Sequence, residues 1–223
     1  ISDILLAPTN FACQNLKNEN IKKNKVYNVG NTIFDAISLN KQKINSKILK
    51  KLDLVKKNFY LLTLHRPDMV DNKINLNKIL KFFISLSKKS NIKIIFPIHP
   101  RTKDKIKKIS SYENKHLLFI EPCNYLDFLS LQKNAKIIFT DSGGIQEEAC
   151  ILKTPCITIR KNTERPETTS MGVNILVDYS KKKIIKAIKK FLVRKIIWKN
   201  PYGSNVSEKI LKILKKDFIK NAK

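Results

Sequence analysis

At 223 residues, 42% of them hydrophobic, the chain can hold one large or two small domains with an ordinary packed core. No apolar run approaches the ~18 residues that span a bilayer, and the opening ISDILLAPTN lacks the basic-then-apolar layout of a signal peptide, so a globular cytoplasmic protein is expected. The formal charge of +27 invites a nucleic-acid reading, but lysine far outnumbers arginine and is scattered through every segment, which is the pattern of solvated faces under a compositional bias. Cys13, Cys123, Cys150 and Cys156 show no CxxC pairing and no histidine at zinc-finger spacing, and read as reduced, buried fillers with no metal site. The start at Ile1, directly in a strand-like segment, reads as a fragment whose upstream portion is absent.

In chain order, residues 4–7 form a short strand, Thr9 caps a helix through about 17, and 26–29 form a second strand ending at Gly30. Residues 1–32 thus read as one β-α-β piece, and 33–58, helical and then lysine-rich, as a connector. From 59 to 203 apolar runs alternate with amphipathic ones: the strands FYLLTL, IKIIFPI, HLLFI, KIIFT, PCITI and VNILV are separated by helices at 74–86, 103–109, 125–132 and 145–152. A helix at 181–193 and a C-terminal helix within 204–223 complete the chain. Short, continuously apolar strands between helices predict an α/β fold, a doubly wound, Rossmann-like parallel sheet covered on both faces.

In such a sheet, ligands bind beyond the carboxyl ends of the strands. His65-Arg66, His99-Pro100-Arg101, Glu121-Pro122, Asp141-Ser142-Gly143-Gly144 and Arg160 all follow strands there. In TDSGGIQEE the segment Ser142 to Gly144 presents backbone N–H groups at a helix N-terminus, an anion cradle suited to phosphate. A helix end contributes only roughly 0.3–1 kcal/mol, so Arg160 and Arg165 are candidate cationic helpers. His65 is either a structural cap or a donor to a diphosphate or sugar hydroxyl. His99 either marks a plain turn or joins the same rim, and His116 opens a strand at the opposite end. Glu148, one turn into the helix, suits vicinal hydroxyls such as a ribose, and otherwise reads as a surface glutamate favouring the helix start. Glu147 is rotated by about 100° and cannot share that face. Arg165 in the TERPE loop is aimed at phosphate or base between carboxylates, or is solvated surface; Phe128 is helix core or stacks near a nucleobase.

Taken together, APTNFACQNL, VGNTIFDAI, TLHRPDMVDN, FPIHPR, YLDFLSL, TDSGGIQEEA, KTPCITIRKNTERPET, MGVNILV and NPYGSN resemble the non-hydrolysing UDP-N-acetylglucosamine 2-epimerase family nearly end to end. The resemblance implies a two-domain fold similar to B-type glycosyltransferases. The segment 1–32 would be the end of an N-terminal Rossmann-like domain, and 59–203 the UDP-binding half. It carries uridine and diphosphate contacts onto His65, Phe128, Ser142, Gly143, Gly144, Glu148 and Arg165, with His65 also a candidate catalytic group. It implies interconversion of UDP-GlcNAc and UDP-ManNAc by elimination and re-addition of UDP, with no metal or nicotinamide, in a homodimer serving surface polysaccharide synthesis. The acid/base carboxylates belong to the N-terminal domain, so the fragment alone is expected to be inactive. Asp68 and Met69 stand where the family usually has Glu and Asn, and NPYGSN lacks the usual Asp-Gly. The alternatives are an epimerase of a related UDP-2-acetamido-deoxysugar, a B-type glycosyltransferase, or a basic nucleic-acid-binding module.

Overall fold

A computed structural model describes residues 2–98, 100–107, 115–193 and 197–221. Its contacts divide the chain into two units, Ile1–Gln42 with Lys199–Lys223, and Lys43–Trp198. The expected boundaries at 32, 58 and 203 differ from this division, which groups the NPYG segment with the first unit.

In the first unit, β1 (Leu5–Ala7) and β2 (Val26–Asn28) pair in parallel through α1 (Asn10–Asn18), whose cap Thr9 accepts from the Ala12 N–H at 3.2 Å. A 3-10 turn at Lys23–Lys25 leads into β2, and α2 (Thr32–Leu39) follows, capped by Asn31.

In the second unit, α3 (Lys47–Lys51) precedes β3 (Phe59–Thr63), α4 (Pro67–Val70), α5 (Lys73–Ser90), β4 (Lys93–Pro97) and α6 (Pro100–Lys107). Then come β5 (Leu117–Ile120), α7 (Tyr125–Asn134), β6 (Ile137–Thr140), α8 (Gly143–Ile151), β7 (Cys156–Ile159), α9 (Pro166–Ser170), β8 (Asn174–Val177) and α10 (Lys181–Val193). Returning to the first unit, α11 (Val206–Asn221) ends the chain. The helix expected at 103–109 starts at Pro100, a residue pre-set for the first helical turn, and 109 lies outside the described residues. The short helices α3, α4 and α9 carry too few turns for periodicity to announce them.

The second unit's sheet is all parallel, with strand order β5-β4-β3-β6-β7-β8. Every residue of β3 is buried, because successive side chains enter two different cores. Tyr60, Leu62, Ile94, Phe96, Phe139 and Ile157 face α5 and α10, while Phe59, Leu61, Ile95, Ile138 and Cys156 face the side covered by α3, α7 and α8. Two apolar faces explain why the strands read as unbroken hydrophobic runs.

The first unit contains its own lock. Gly30 has φ +95°, and a Cβ there would lie 2.2 Å from the Tyr202 carbonyl oxygen, so only glycine lets the two backbones meet. The Asn31 N–H donates to that carbonyl at 2.9 Å, and the Asp35 carboxylate accepts from the Ser207 N–H at 2.7 Å at the start of α11. The VGN and NPYG motifs are therefore two halves of one contact.

Phe139 sits at the centre of the first core, edge-on to Tyr60 at 5.5 Å and to Phe83 at 5.0 Å between ring centroids. Phe139→Ala is expected to lower the unfolding free energy by about 3–5 kcal/mol, read from the shift of a urea denaturation midpoint.

Candidate functional site

The strand order reverses direction between β3 and β6, so the loops leaving these two strands diverge and open a crevice at their carboxyl ends. Thr63 and Thr140, partners in the β3–β6 register, join their hydroxyls at 2.7 Å just below it. One residue further, the buried Asp141 binds both sides of the crevice. Its Oδ2 accepts from the backbone N–H groups of His65 at 2.9 Å and Arg66 at 2.8 Å, and its Oδ1 lies 2.9 Å from His65 Nδ1. The Arg66 Nε donates to the Asp141 carbonyl at 3.1 Å. The carboxylate thereby stands against the Nδ1 edge of the His65 ring.

Above the switch point lies a cleft of about 280 Å³, lined by Thr63, Leu64, His65, Pro97, Ile98, Pro122, Cys123, Phe128 and Ile145. Loops from β3, β4 and β5 and the first turns of α7 and α8 all contribute to it. Phe128 also leans on the second core, which holds its ring in place. Burial pushes the Cys123 thiol above its ordinary pKa, so it stays protonated in this apolar wall.

Beside the cleft, α8 begins at Gly143 with Ser142 as its cap, and the Ser142 side chain makes no capping bond. The first-turn N–H groups have no helical acceptor. Neither glycine is demanded by the fold: both have helical φ, a Cβ on Gly143 would touch only Glu164 at 3.8 Å, and one on Gly144 would meet nothing within 4 Å. Glycine costs a helix about 1 kcal/mol relative to alanine, so two in the first turn, with open space before them, fit the close approach of an anion.

The charged loop after β7 divides its ion pairs differently from the sequence expectation. Arg160 is bound by Glu164 through two 2.7 Å bonds, Nη1 to Oε2 and Nη2 to Oε1, and so is not presented to the glycine cradle. The Glu164 carboxyl falls to about 2, chiefly through that bond. Arg165 is held by Glu147 of α8, Nε to Oε1 at 2.5 Å, and its Nη1 donates to the carbonyl of its loop neighbour Glu164. Gln146 ties helix and loop together: its Nε2 donates to the Ser142 carbonyl at 3.1 Å, and its Oε1 accepts from Thr163 at 2.6 Å and Asn174 at 3.0 Å.

Glu148 lies on another face of α8. Its Oε2 accepts from Gln132 Nε2 at 2.5 Å, and the Tyr125 phenol faces the same carboxyl. Burial, with Glu147 adding to it, pushes Glu148 above the usual carboxylate range against the pull of those two donors. Burial, with the negative charge of Glu148 adding to it, raises Tyr125 to about 12.

The structure thus brings His65 and Phe128 into one cleft, with Ser142, Gly143 and Gly144 beside it and Arg165 and Glu148 anchored on the same helix α8. His99 lies outside the described residues. Asp141 was placed on the rim by the sequence, but its partners His65 and Arg66 lie 76 and 75 positions away; Gln146 and Gln132 were not singled out, and their side-chain partners Thr163 and Glu148 lie 17 and 16 positions away and leave no local signal. Among the described residues no cluster of three or more His, Cys, Asp or Glu could hold a metal ion, and no helix is long and apolar enough to cross a membrane.

The sequence model of the family described as UDP-N-acetylglucosamine 2-epimerase matches residues 1–215. The chain is 47% identical over 223 residues to a UDP-N-acetylglucosamine 2-epimerase of Methanocaldococcus jannaschii, covering 96% of this chain and 61% of that protein. A UDP-2,3-diacetamido-2,3-dideoxy-D-glucuronate 2-epimerase of Pseudomonas aeruginosa is 32% identical, with 88% of this chain and 54% of that protein covered. Among solved structures, the crystal structure of the M. jannaschii UDP-GlcNAc 2-epimerase in complex with UDP-GlcNAc and UDP superposes with a TM-score of 0.88 at 47% identity, over 96% of this chain and 61% of that one. The chain therefore spans about three-fifths of the length of these relatives.

Asp141→Ala leaves the His65 and Arg66 amides without their acceptor, and is expected to cost about 1.5–3 kcal/mol of stability and to speed hydrogen exchange at those two amides. A second expectation concerns Glu148. Its folded pKa lies above the unfolded value, so its contribution to stability is full below the ordinary carboxyl range and is lost as pH rises through the folded pKa. Ligand-free Glu148→Gln should then melt higher than the parent at about pH 8, with the difference closing towards about pH 4.3, measured by calorimetry across that range.

Proposed function

The chain belongs to the UDP-N-acetylglucosamine 2-epimerase family, and on that premise we propose that it carries the UDP-binding half of an enzyme interconverting UDP-GlcNAc and UDP-ManNAc. The observation that supports this reading above the others is the bare glycine start of α8 beside the apolar cleft at the switch point. In this reading the uracil enters the cleft against Phe128, the diphosphate meets the N–H groups of Gly143 and Gly144 and the Ser142 hydroxyl with His65 and Arg165 nearby, the Ser142 N–H being taken by Thr140 Oγ1 at 3.0 Å, and Glu148 accepts from the ribose hydroxyls.

The reaction proposed is removal of the C2 proton with cleavage of the C1–O bond. UDP leaves, a glycal forms, and UDP returns to C1 as C2 is reprotonated on the other face. The α8 N-terminus and His65 stabilise the charge that gathers on the departing diphosphate. Proton transfer at C2 needs a carboxylate within hydrogen-bond reach. Glu147 and Glu164 are each bound to an arginine, and Asp141 accepts from the His65 and Arg66 backbone N–H groups, so we assign the acid/base groups to the portion of the relatives that this chain does not span, and infer that the chain alone is inactive. The cytoplasm, a homodimer and a place in surface polysaccharide synthesis complete the proposal.

A related UDP-2-acetamido sugar is the second reading, supported by the likeness to the P. aeruginosa epimerase. A protein joining this chain to the missing portion should exchange C2 hydrogen with deuterated solvent and epimerise UDP-GlcNAc; activity only on another member of a UDP-2-acetamido-sugar panel selects the second reading. Transfer of the sugar to an acceptor without exchange at C2 defeats both. For the 223-residue chain, calorimetric titration with UDP should lose about 1.5–3 kcal/mol of binding free energy on Glu148→Ala.

A further inference from the structure

Gln132 is a poor residue for the place it occupies. It is completely buried on α7 between Leu129, Leu131 and Ala135, all of them also buried, where packing alone favours leucine or methionine. Its Oε1 accepts no hydrogen bond among the described residues. What it gains is on the other side of the amide, where Nε2 donates to Glu148 Oε2 at 2.5 Å across the α7–α8 contact. Tyr125 stands seven positions earlier, about two turns along the same face of α7, and its phenol faces the same carboxyl.

We propose that Gln132, seconded by Tyr125, is a positioning residue for Glu148, clamping its carboxylate from α7 so that the remaining lone pairs are presented to the ribose hydroxyls of a uridine nucleotide. This rests on the proposed role of Glu148 in nucleotide binding. A carboxylate has about four acceptor sites, and two donors from one helix restrict its tilt and rotation while leaving sites for a vicinal diol. The clamp also answers an electrostatic need. Glu148 is largely removed from water and has Glu147 on its own helix, whose charge is balanced by Arg165; from α7 it faces the neutral amide of Gln132 and the phenol of Tyr125. Both donors favour its ionised form, the one able to accept two sugar hydroxyls.

The test compares UDP with 2′-deoxy-UDP, using the 223-residue chain, its Gln132→Met variant and its Tyr125→Phe variant. Gln132→Met keeps the volume and removes the donor; Tyr125→Phe alters a half-exposed ring and keeps the fold should the buried variant unfold. The parent is expected to prefer UDP by about tenfold, one hydrogen bond to a charged group, and each variant to narrow that ratio to about two- to threefold. The parent-to-variant affinity ratio for UDP should also widen as pH falls from about 9 to about 5, because the unclamped carboxyl protonates first. Loss of affinity for both nucleotides by the same factor, at every pH, in folded variants would overturn the proposal as a mere packing effect. A parent that binds UDP and 2′-deoxy-UDP equally, or neither, would sink the underlying role of Glu148 instead, and the clamp with it.

Discussion

The site depends on one buried carboxylate. Asp141 closes β6 and reaches across to the loop after β3, where it accepts from two successive backbone N–H groups and holds the imidazole of His65. The β3–β6 ladder runs to the last residue of each strand, Thr63 opposite Thr140. At the switch point the two chains part, and without a side-chain acceptor the amides of His65 and Arg66 would face a crevice with no backbone partner. A charged acceptor suits the task because charge-assisted bonds are shorter and stronger than neutral ones. The same contact that ends the sheet therefore creates the wall of the cleft and orients its histidine.

Around that anchor the charges are paired off in advance. Arg160 is balanced by Glu164, Arg165 by Glu147, and Arg66 approaches both the Asp141 carbonyl and, at 3.6 Å, Glu164. Beside these matched charges stands the N-terminus of α8. That end is small in energy but fixed in place, and it costs no reorganisation when an anion arrives. The overall charge of +27 is carried largely by exposed lysines.

The two glycines and the two α7 donors express the same principle from opposite sides. Gly143 and Gly144 weaken the helix so that backbone N–H groups can be approached closely. Gln132 accepts an unpaired oxygen in the core so that one carboxylate is held still. Each is a local loss of stability that the second unit's two apolar cores are large enough to carry. Binding in such a site is inexpensive because its groups are already in position.

Much of the fold was legible in the sequence because the information was local. Unbroken apolar strands between amphipathic helices announced a parallel sheet buried on both faces, and polar clusters after successive strands marked the rim where His65, Phe128 and Ser142 to Gly144 stand. Motif by motif the chain also declared its family. What the sequence could not express is who pairs with whom. Arg160 takes Glu164 and Arg165 reaches back to Glu147; Asp141 answers amides 75 and 76 residues away, and Gln132 meets Glu148 across a helix interface. The sequence by itself determined the layers and the glycine start of the helix after β6, since periodicity and turn chemistry act over a few residues. Only the tertiary structure decided which charges were spent inside the protein and which surfaces were left for a ligand, because that depends on distances between segments far apart in the chain.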